Sequence, residues 1–365
     1  MLRHMGEQGP IAVYTRNLLD ALLAAGGSHE YLLLYRDPRL VGSYAGRPNV
    51  REIVLTASSK LAWDQFRTVL LERRERPDLI FQPKLSVPLA ASCPTVFVLH
   101  GVEPFAVPGL FPWHNRLYNR LLMPVFCRRA AAVISTTQTG TVDIARLIGA
   151  DTGNIHVIHQ AQHERFRPVP APEADRVLAR HGVTGRYVLF VSELNRLENL
   201  DTLLRAWALA RRDLPHALVA VGYGGKSFDR SRSLAAGLGL GGAVLFPGPV
   251  PDEDLPALYS RADLLIYPSL YEGFGVRLLE AMACGCPVAA SHTGSCAEIA
   301  GEAAVLFNPR DPASIFGAVR EALESDEARA RMARRGLKRA SGFSWNRTAR
   351  QTLDLFARVV ESARG

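Results

Sequence analysis

Nothing in this chain is long and apolar enough to cross a bilayer. Its longest apolar region, Cys93 to Trp113, is interrupted by His100, Glu103 and prolines, whereas a span needs ~20 uninterrupted apolar residues. The opening residues, Met1 to Gly6, also lack the apolar segment of a secretory signal. Both absences point to a cytoplasmic location, with the inner face of a membrane as the alternative address. Cysteine is scarce. The five residues, Cys93, Cys127, Cys284, Cys286 and Cys296, are odd in number and form no pair of CxxC elements, which argues against a disulfide scaffold or a zinc site. Cys284 and Cys286 lie among alanine and glycine and read as small buried thiols. Nucleic-acid binding has no motif behind it: zinc spacing, RNP-type aromatic runs and recognition-helix patterns are all missing.

What is present is the composition of a globular protein. With 365 residues, 48% of them apolar and 21% charged, the chain is long enough for two domains that each bury a core. The net charge of +8 is uneven: residues 1–170 hold 19 Lys/Arg against 13 Asp/Glu, and the remainder 24 against 22. Within that basic first half, Arg73, Arg74 and Arg76 cluster. Further on, Arg116, Arg120, Arg128 and Arg129 accompany Leu117, Leu121, Leu122 and Phe126 at helical spacing. Such a stretch suits either an anionic surface, lipid or phosphorylated acceptor, or the solvated face of a core helix.

Apolar runs rich in Val, Ile and Leu alternate with amphipathic stretches of helical length, the pattern of βα units building a parallel sheet. One series of strand-like runs covers 31–35, 50–55, 78–82, 95–100, 131–136 and 155–160. A second covers 187–192, 217–222, 243–248, 264–269, 287–291 and 304–307. The polar, proline-rich segment 163–185 reads as the linker between them. Two doubly wound, Rossmann-like domains follow, with ligands expected at the carboxyl ends of the strands. A helix is predicted over Ile11–Ala24 after a glycine-bearing turn, with Pro10 at its first position. Too few residues precede that turn for the central strand of such a domain. The first strand is therefore expected to be missing, most simply because the sequence starts late.

The densest chemistry lies in 271–291, which reads turn, helix, strand. Gly273 and Gly275 allow close approach of backbone to a ligand. The N–H groups of Phe274, Gly275 and Val276, at a helix start, suit an anion. Glu272 stands just before them, and Glu280 lies about two turns on, where it could accept hydrogen bonds from ribose hydroxyls.

The stretch PSLYEGFGVRLLEAMACGCPVAAS resembles the signature of the group 1 glycosyl transferases (glycosyltransferase family 4), retaining enzymes of the GT-B fold. The likeness continues through 134–149, 154–168, 246–269, 297–309 and 343–356, and so spans nearly the whole chain. It implies two Rossmann-like domains, 1–165 on the acceptor side and 166–345 on the donor side, facing across a cleft, with 346–365 as a helix returning to the first. By the same resemblance Glu272 would contact the donor sugar and Glu280 the nucleoside ribose. Val250 would line the base pocket, Gly9 would approach the donor phosphates, and His100 would face the sugar. The implied reaction is transfer of a hexose from a nucleotide diphosphate sugar to a hydroxyl acceptor (glycan, lipid-linked sugar or small molecule) with retention. No metal or further cofactor is implied.

The family usually has a basic residue and then a lysine to neutralise the donor diphosphate, and Glu193 and Glu198 stand in those places here. Arg196, Arg277 and Lys226 are the nearby bases that could substitute. A divalent cation bridging the glutamates to phosphate is a second explanation. A homologue that binds sugar, nucleotide or a partner enzyme without turnover is the third, and the alternative function.

Overall fold

The computed structural model describes residues 1–3, 9–84, 86–192, 196–210, 214–222 and 226–365. They divide into two compact units: Met1–Gln160 together with Ser344–Gly365, and Ala161–Phe343.

The first unit is built on a seven-stranded parallel sheet. In chain order its strands are β1 (Leu2–Arg3), β2 (Tyr31–Tyr35), β3 (Val50–Val54), β4 (Ile80–Gln82), β5 (Thr95–Leu99), β6 (Ala132–Ser135) and β7 (Ile155–Val157), arranged β3-β2-β1-β4-β5-β6-β7. β2, β5 and β6 are buried along their full length, as expected where helices cover both faces of a parallel sheet. Where the sequence alone left the central place empty, the structure seats Leu2–Arg3. Leu2 pairs with Leu33 on one side and Phe81 on the other. The chain's first residue extends the ladder, its amine donating to the Leu79 carbonyl at 2.7 Å and its carbonyl accepting from Phe81 N at 2.8 Å. Composition could not signal a strand of two residues, because its pairing comes entirely from neighbours distant in sequence.

The helix Trp345–Arg364 completes this unit's core. Ser344 caps it, accepting from Arg347 N. Its Ala349, Leu355 and Val359 pack with Leu18, Leu22 and Phe81 of the first 160 residues. Thr348 Oγ1 donates to the His159 carbonyl at 2.7 Å.

The second unit has a six-stranded parallel sheet of β8 (Tyr187–Ser192), β9 (Ala217–Gly222), β10 (Val244–Gly248), β11 (Leu264–Tyr267), β12 (Val288–Ser291) and β13 (Ala304–Phe307), in the order β10-β9-β8-β11-β12-β13. Its core gathers Phe190, Leu203, Trp207, Leu264, Ile266 and Ile315. The presumed linker 163–185 contains a helix, Ala171–Arg180. Three prolines and a charged surface mask its apolar side, where Ala174 and Leu178 are buried.

In a doubly wound sheet the ligand crevice opens at the carboxyl ends of the strands where the order reverses. That point falls between β1 and β4 in the first unit and between β8 and β11 in the second. The segments leaving β8 and β11 carry Glu198 and Glu272.

Candidate functional site

After β11 the chain runs through Glu272, Gly273 and Phe274 into the helix Val276–Ala283. Gly275 sits at the N-cap with φ 89°, and among the described residues no side chain caps the first turn. That conformation strains any residue with a Cβ, and a Cβ here would lie 3.1 Å from Leu278 Cδ1. Phe274 is buried and meets Phe343 edge-on at 6.2 Å between ring centroids, which anchors the turn. Leu278 N turns back to the Gly275 carbonyl at 3.0 Å, and the helix start presents the N–H groups of Val276 and Arg277 together with the positive end of the helix dipole.

Glu272 is fixed through its backbone. Its carbonyl accepts from Ser295 N at 3.1 Å and Ser295 Oγ at 3.0 Å. Gly294, φ 58°, packs so closely that a Cβ would fall 2.6 Å from Glu272 O and 2.8 Å from Glu272 N. Sequence reasoning missed Gly294 and Ser295. Their only signal was the short HTGS segment after β12, which looks like any turn until folding lays it on Glu272. The Glu272 side chain hydrogen bonds with the buried Tyr267 hydroxyl.

Glu280 is buried on the same helix. Arg277 Nη1 donates to its Oε2 at 2.8 Å and the Tyr259 hydroxyl donates to the same oxygen at 3.3 Å. Burial pushes the Glu280 carboxyl upward against the pull of Arg277. In turn Glu280 holds the Arg277 guanidinium, itself always charged, still further up. Both protein contacts go to Oε2, so among the described residues no hydrogen bond reaches Oε1. Arg277, which the sequence offered as a substitute base for phosphate, is committed to this pair. Val250 is buried in the segment after β10.

Glu198 closes a 3-10 turn, Arg196–Glu198, at the end of the segment that follows β8. Ser269 Oγ donates to its Oε2 at 3.1 Å. Its charge and that of Glu272 both raise the Tyr267 phenol and the Cys296 thiol, after burial itself. The structure thus brings Glu198 and Glu272 around the same buried groups, a proximity that their distance in sequence concealed. Arg196 is exposed on the 3-10 turn. Glu193 and the Lys226 side chain lie outside the described residues. Asn199, which directly follows Glu198, locks this corner. At φ 62°, a region asparagine tolerates better than most residues, it donates to the carbonyls of Pro268 (3.0 Å) and Pro309 (2.7 Å) and accepts from Thr202 Oγ1 (2.6 Å).

Gly9 and His100 belong to the first unit. Gly9, φ 113°, is the N-cap of the helix Pro10–Ala24. His100, at the end of β5, donates from Nε2 to the Pro83 carbonyl at 2.7 Å, and its ring meets the Tyr14 ring edge-on at 4.7 Å. A proton on Nε2 leaves the neutral ring's lone pair on Nδ1. Burial lowers the imidazole to about 4, only partly opposed by the Pro83 bond. Against the ordinary 6.5, the unfolded chain then binds more protons between pH 4 and 6.5, so stability is full above that window and lost as pH falls through it. The loss is about 3 kcal/mol at most. In His100→Gln the fall in melting temperature from pH 6.5 to 4.5 should become shallower; an unchanged fall would show that another group is responsible.

Two doubly wound units with these switch-point segments define a protein of the GT-B class. The chain aligns with sucrose-phosphate synthase from Thermosynechococcus elongatus at a TM-score of 0.80 and 22% identity, covering 97% of this chain and 94% of that one. Anabaena HepE, solved with UDP and glucose, aligns at a TM-score of 0.78 and 20% identity over 98% and 99% of the two chains. Identities this low speak for the fold alone. The models of glycosyltransferase family 4 and of the group 1 glycosyl transferases match residues 11–161 and 174–339, and the chain belongs to this family of transferases. O-antigen chain mannosyltransferase B of Escherichia coli is 29% identical over 264 residues, 72% of this chain and 69% of that one. D-inositol 3-phosphate glycosyltransferase of Salinispora tropica is 33% identical over 255 residues, 64% of this chain and about half (52%) of the relative.

Proposed function

We propose that this chain transfers a hexose from a nucleotide diphosphate sugar to a hydroxyl acceptor, a glycan, lipid-linked sugar or small molecule, with retention at the anomeric carbon. The observation that carries the reading is the convergence, at the switch point of the second sheet, of Glu272, the uncapped helix start at Val276 and the half-occupied carboxylate of Glu280. The helix start receives the diphosphate, Glu280 Oε1 accepts from ribose, and Val250 lies against the base. Glu272 accepts from the hexose hydroxyls and stabilises positive charge at the anomeric centre as the bond to the diphosphate lengthens. Rate enhancement then comes from positioning and from stabilising the departing diphosphate, whose oxygen takes the acceptor's proton as the acceptor attacks from the same face. Gly9 and His100 are assigned to the phosphates and the sugar. No resident metal is required. In keeping with this chemistry we place the protein in the cytoplasm. Among the described residues no helix is long and apolar enough to cross a membrane. Peripheral contact with an anionic membrane is supported by Arg116 and Arg120, exposed beside Trp113, Leu117 and Leu121 on one helix.

A second reading, binding of nucleotide or sugar without turnover, is favoured by one feature: Glu198 places a second negative charge beside Glu272. A panel of nucleotide sugars separates the two. Release of nucleoside diphosphate from one donor, with NMR of the product showing the donor's anomeric configuration, is the expected result. Saturable binding with no release from any donor, with or without sugar acceptors, would establish the second reading.

A further inference from the structure

The first unit contains a cavity that the donor chemistry does not use. Its volume is about 400 Å³, within the 300–1,000 Å³ usual for small-ligand pockets. It is lined from the segments that leave the carboxyl ends of β3, β4 and β5. Leu61, Asp64 and Gln65 come from the first of these, Ser86 from the second, and Asn115 and Tyr118 from the third. The floor is polar and buried: Asp64 is 3% exposed and Ser86 is 1% exposed, and among the described residues the Ser86 hydroxyl has no hydrogen-bond partner. A buried hydroxyl left unpaired costs about 1–3 kcal/mol, so Ser86 is the observation that points to an occupant. The wall is held in place by Gln65, whose amide donates to the Val87 carbonyl and accepts from Leu89 N, both at 2.9 Å. The Asp64 and Gln65 pair sits in a π-helical segment, Trp63–Arg67, an irregularity that recurs at functional sites.

The lining states what kind of occupant fits. Among the described side chains it offers a carboxylate, hydroxyls and amides and no cation, which suits a polyol better than a phosphate. The mouth is different. Leu61 is exposed at the rim, and the same two helical stretches carry exposed Phe66 and Leu70 on one and Trp113, Leu117 and Leu121 on the other. The last three are spaced four apart and share a face. A polar floor beneath an apolar surround matches a molecule with a sugar-like head and a hydrocarbon tail.

We infer that this cavity seats the hydroxylated head of an amphipathic glycoside, with its tail along Leu61, Phe66 and Trp113, and that the acceptor of the proposed transfer is of this class. The inference rests on the transferase reading only for the word acceptor; the site itself is tested without turnover.

The probe is n-octyl β-D-glucopyranoside below its micellar concentration, compared with glucose and with n-octanol. The readout is hydrogen–deuterium exchange of the full chain over residues 59–66 and 113–118. The glycoside should protect both segments at a concentration at least tenfold lower than either half-molecule. Ser86→Met, which fills the floor, and Asn115→Phe, which blocks the exposed mouth and leaves the core intact, should each weaken that protection at least tenfold. Protection unchanged in both variants overturns the inference. So does octanol matching the glycoside, which would reduce the site to an apolar patch. Protection by phosphatidylglycerol vesicles with none from the glycoside would also overturn it and assign the face to a bilayer. In the same runs UDP, GDP and ADP report on residues 272–280. Silence there with a responsive cavity counts against the donor reading alone, and the converse counts against the cavity alone.

Discussion

Gly294→Ala will lower the stability of the second unit by about 3 kcal/mol or more and remove activity from whatever fraction still folds. The cause is steric and fixed. The new Cβ would sit 2.6 Å from Glu272 O and 2.8 Å from Glu272 N, both backbone atoms that cannot swing aside as a side chain does. Relief requires moving the Glu272 peptide, which would pull its carbonyl from Ser295 N and Oγ, or moving the turn after β12. A positive φ adds strain of order 1–3 kcal/mol for a residue with a Cβ. For a unit of this size the total corresponds to a fall of roughly 6–12 °C in its melting temperature. A misplacement of ~1 Å at the reacting centre costs on the order of 100-fold in rate, so activity should fall further than folding does. Gly301→Ala is the control. Gly301 has a similar φ of 53°, but its added Cβ would meet only the Arg339 side chain, at 3.5 Å. Equal losses in the two variants, by calorimetry, would assign the effect to backbone strain and remove the clash from the account.

Glu272→Gln is expected to cut turnover by 100- to 1,000-fold, the usual scale for removing one preorganised electrostatic contact, while leaving the melting temperature within ~2 °C. Glutamine keeps an acceptor for the Tyr267 hydroxyl and lacks only the charge. Alanine is the less clean substitution: it also leaves the buried Tyr267 hydroxyl unpaired, at about 1–3 kcal/mol, so its loss of activity would mix chemistry with stability. The measurement is kcat on the donor identified by the panel, alongside a thermal melt. Full turnover in Glu272→Gln would remove the charge of Glu272 from the mechanism. Normal turnover in glutamine with loss in alanine would make the residue a support for Tyr267.

The sequence made the strands of both sheets legible from β2 onward: β2, β5, β8 and β11 are buried on two faces and appear as short, largely apolar runs, and the partly buried β3 and β10 were legible from their place in the alternation of strand-like and helical stretches. It also made legible the segment 271–291, whose glycines, carboxylates and helix start lie consecutively and need no tertiary contact to be noticed. Illegible features depend on contacts between residues far apart. β1 is a strand only because β2 and β4 flank it. Asn199 looks like a common helix-start residue, although its amide reaches Pro268 and Pro309. Gly294 and Glu272 are 22 positions apart, and nothing in either neighbourhood announces that their backbones touch. Glu198 illustrates a subtler limit. Its charge was legible and so was its departure from the family pattern, but the hydroxyl of Ser269 that receives it was not.

The helix Trp345–Arg364 also governs the order in which the protein can be finished. Its Ala349, Leu355 and Val359 fill the core of the unit that the first 160 residues begin, and the entire second unit is encoded between the two pieces. At ribosomal speeds of ~5–20 residues per second, the amino-terminal portion waits roughly ten to forty seconds for its missing wall. The middle of the chain is thus the first part able to reach its native state during synthesis. The amino-terminal half spends that interval with an open apolar groove along Leu18 and Leu22, which makes the nascent chain a natural client for chaperones until its last helix arrives.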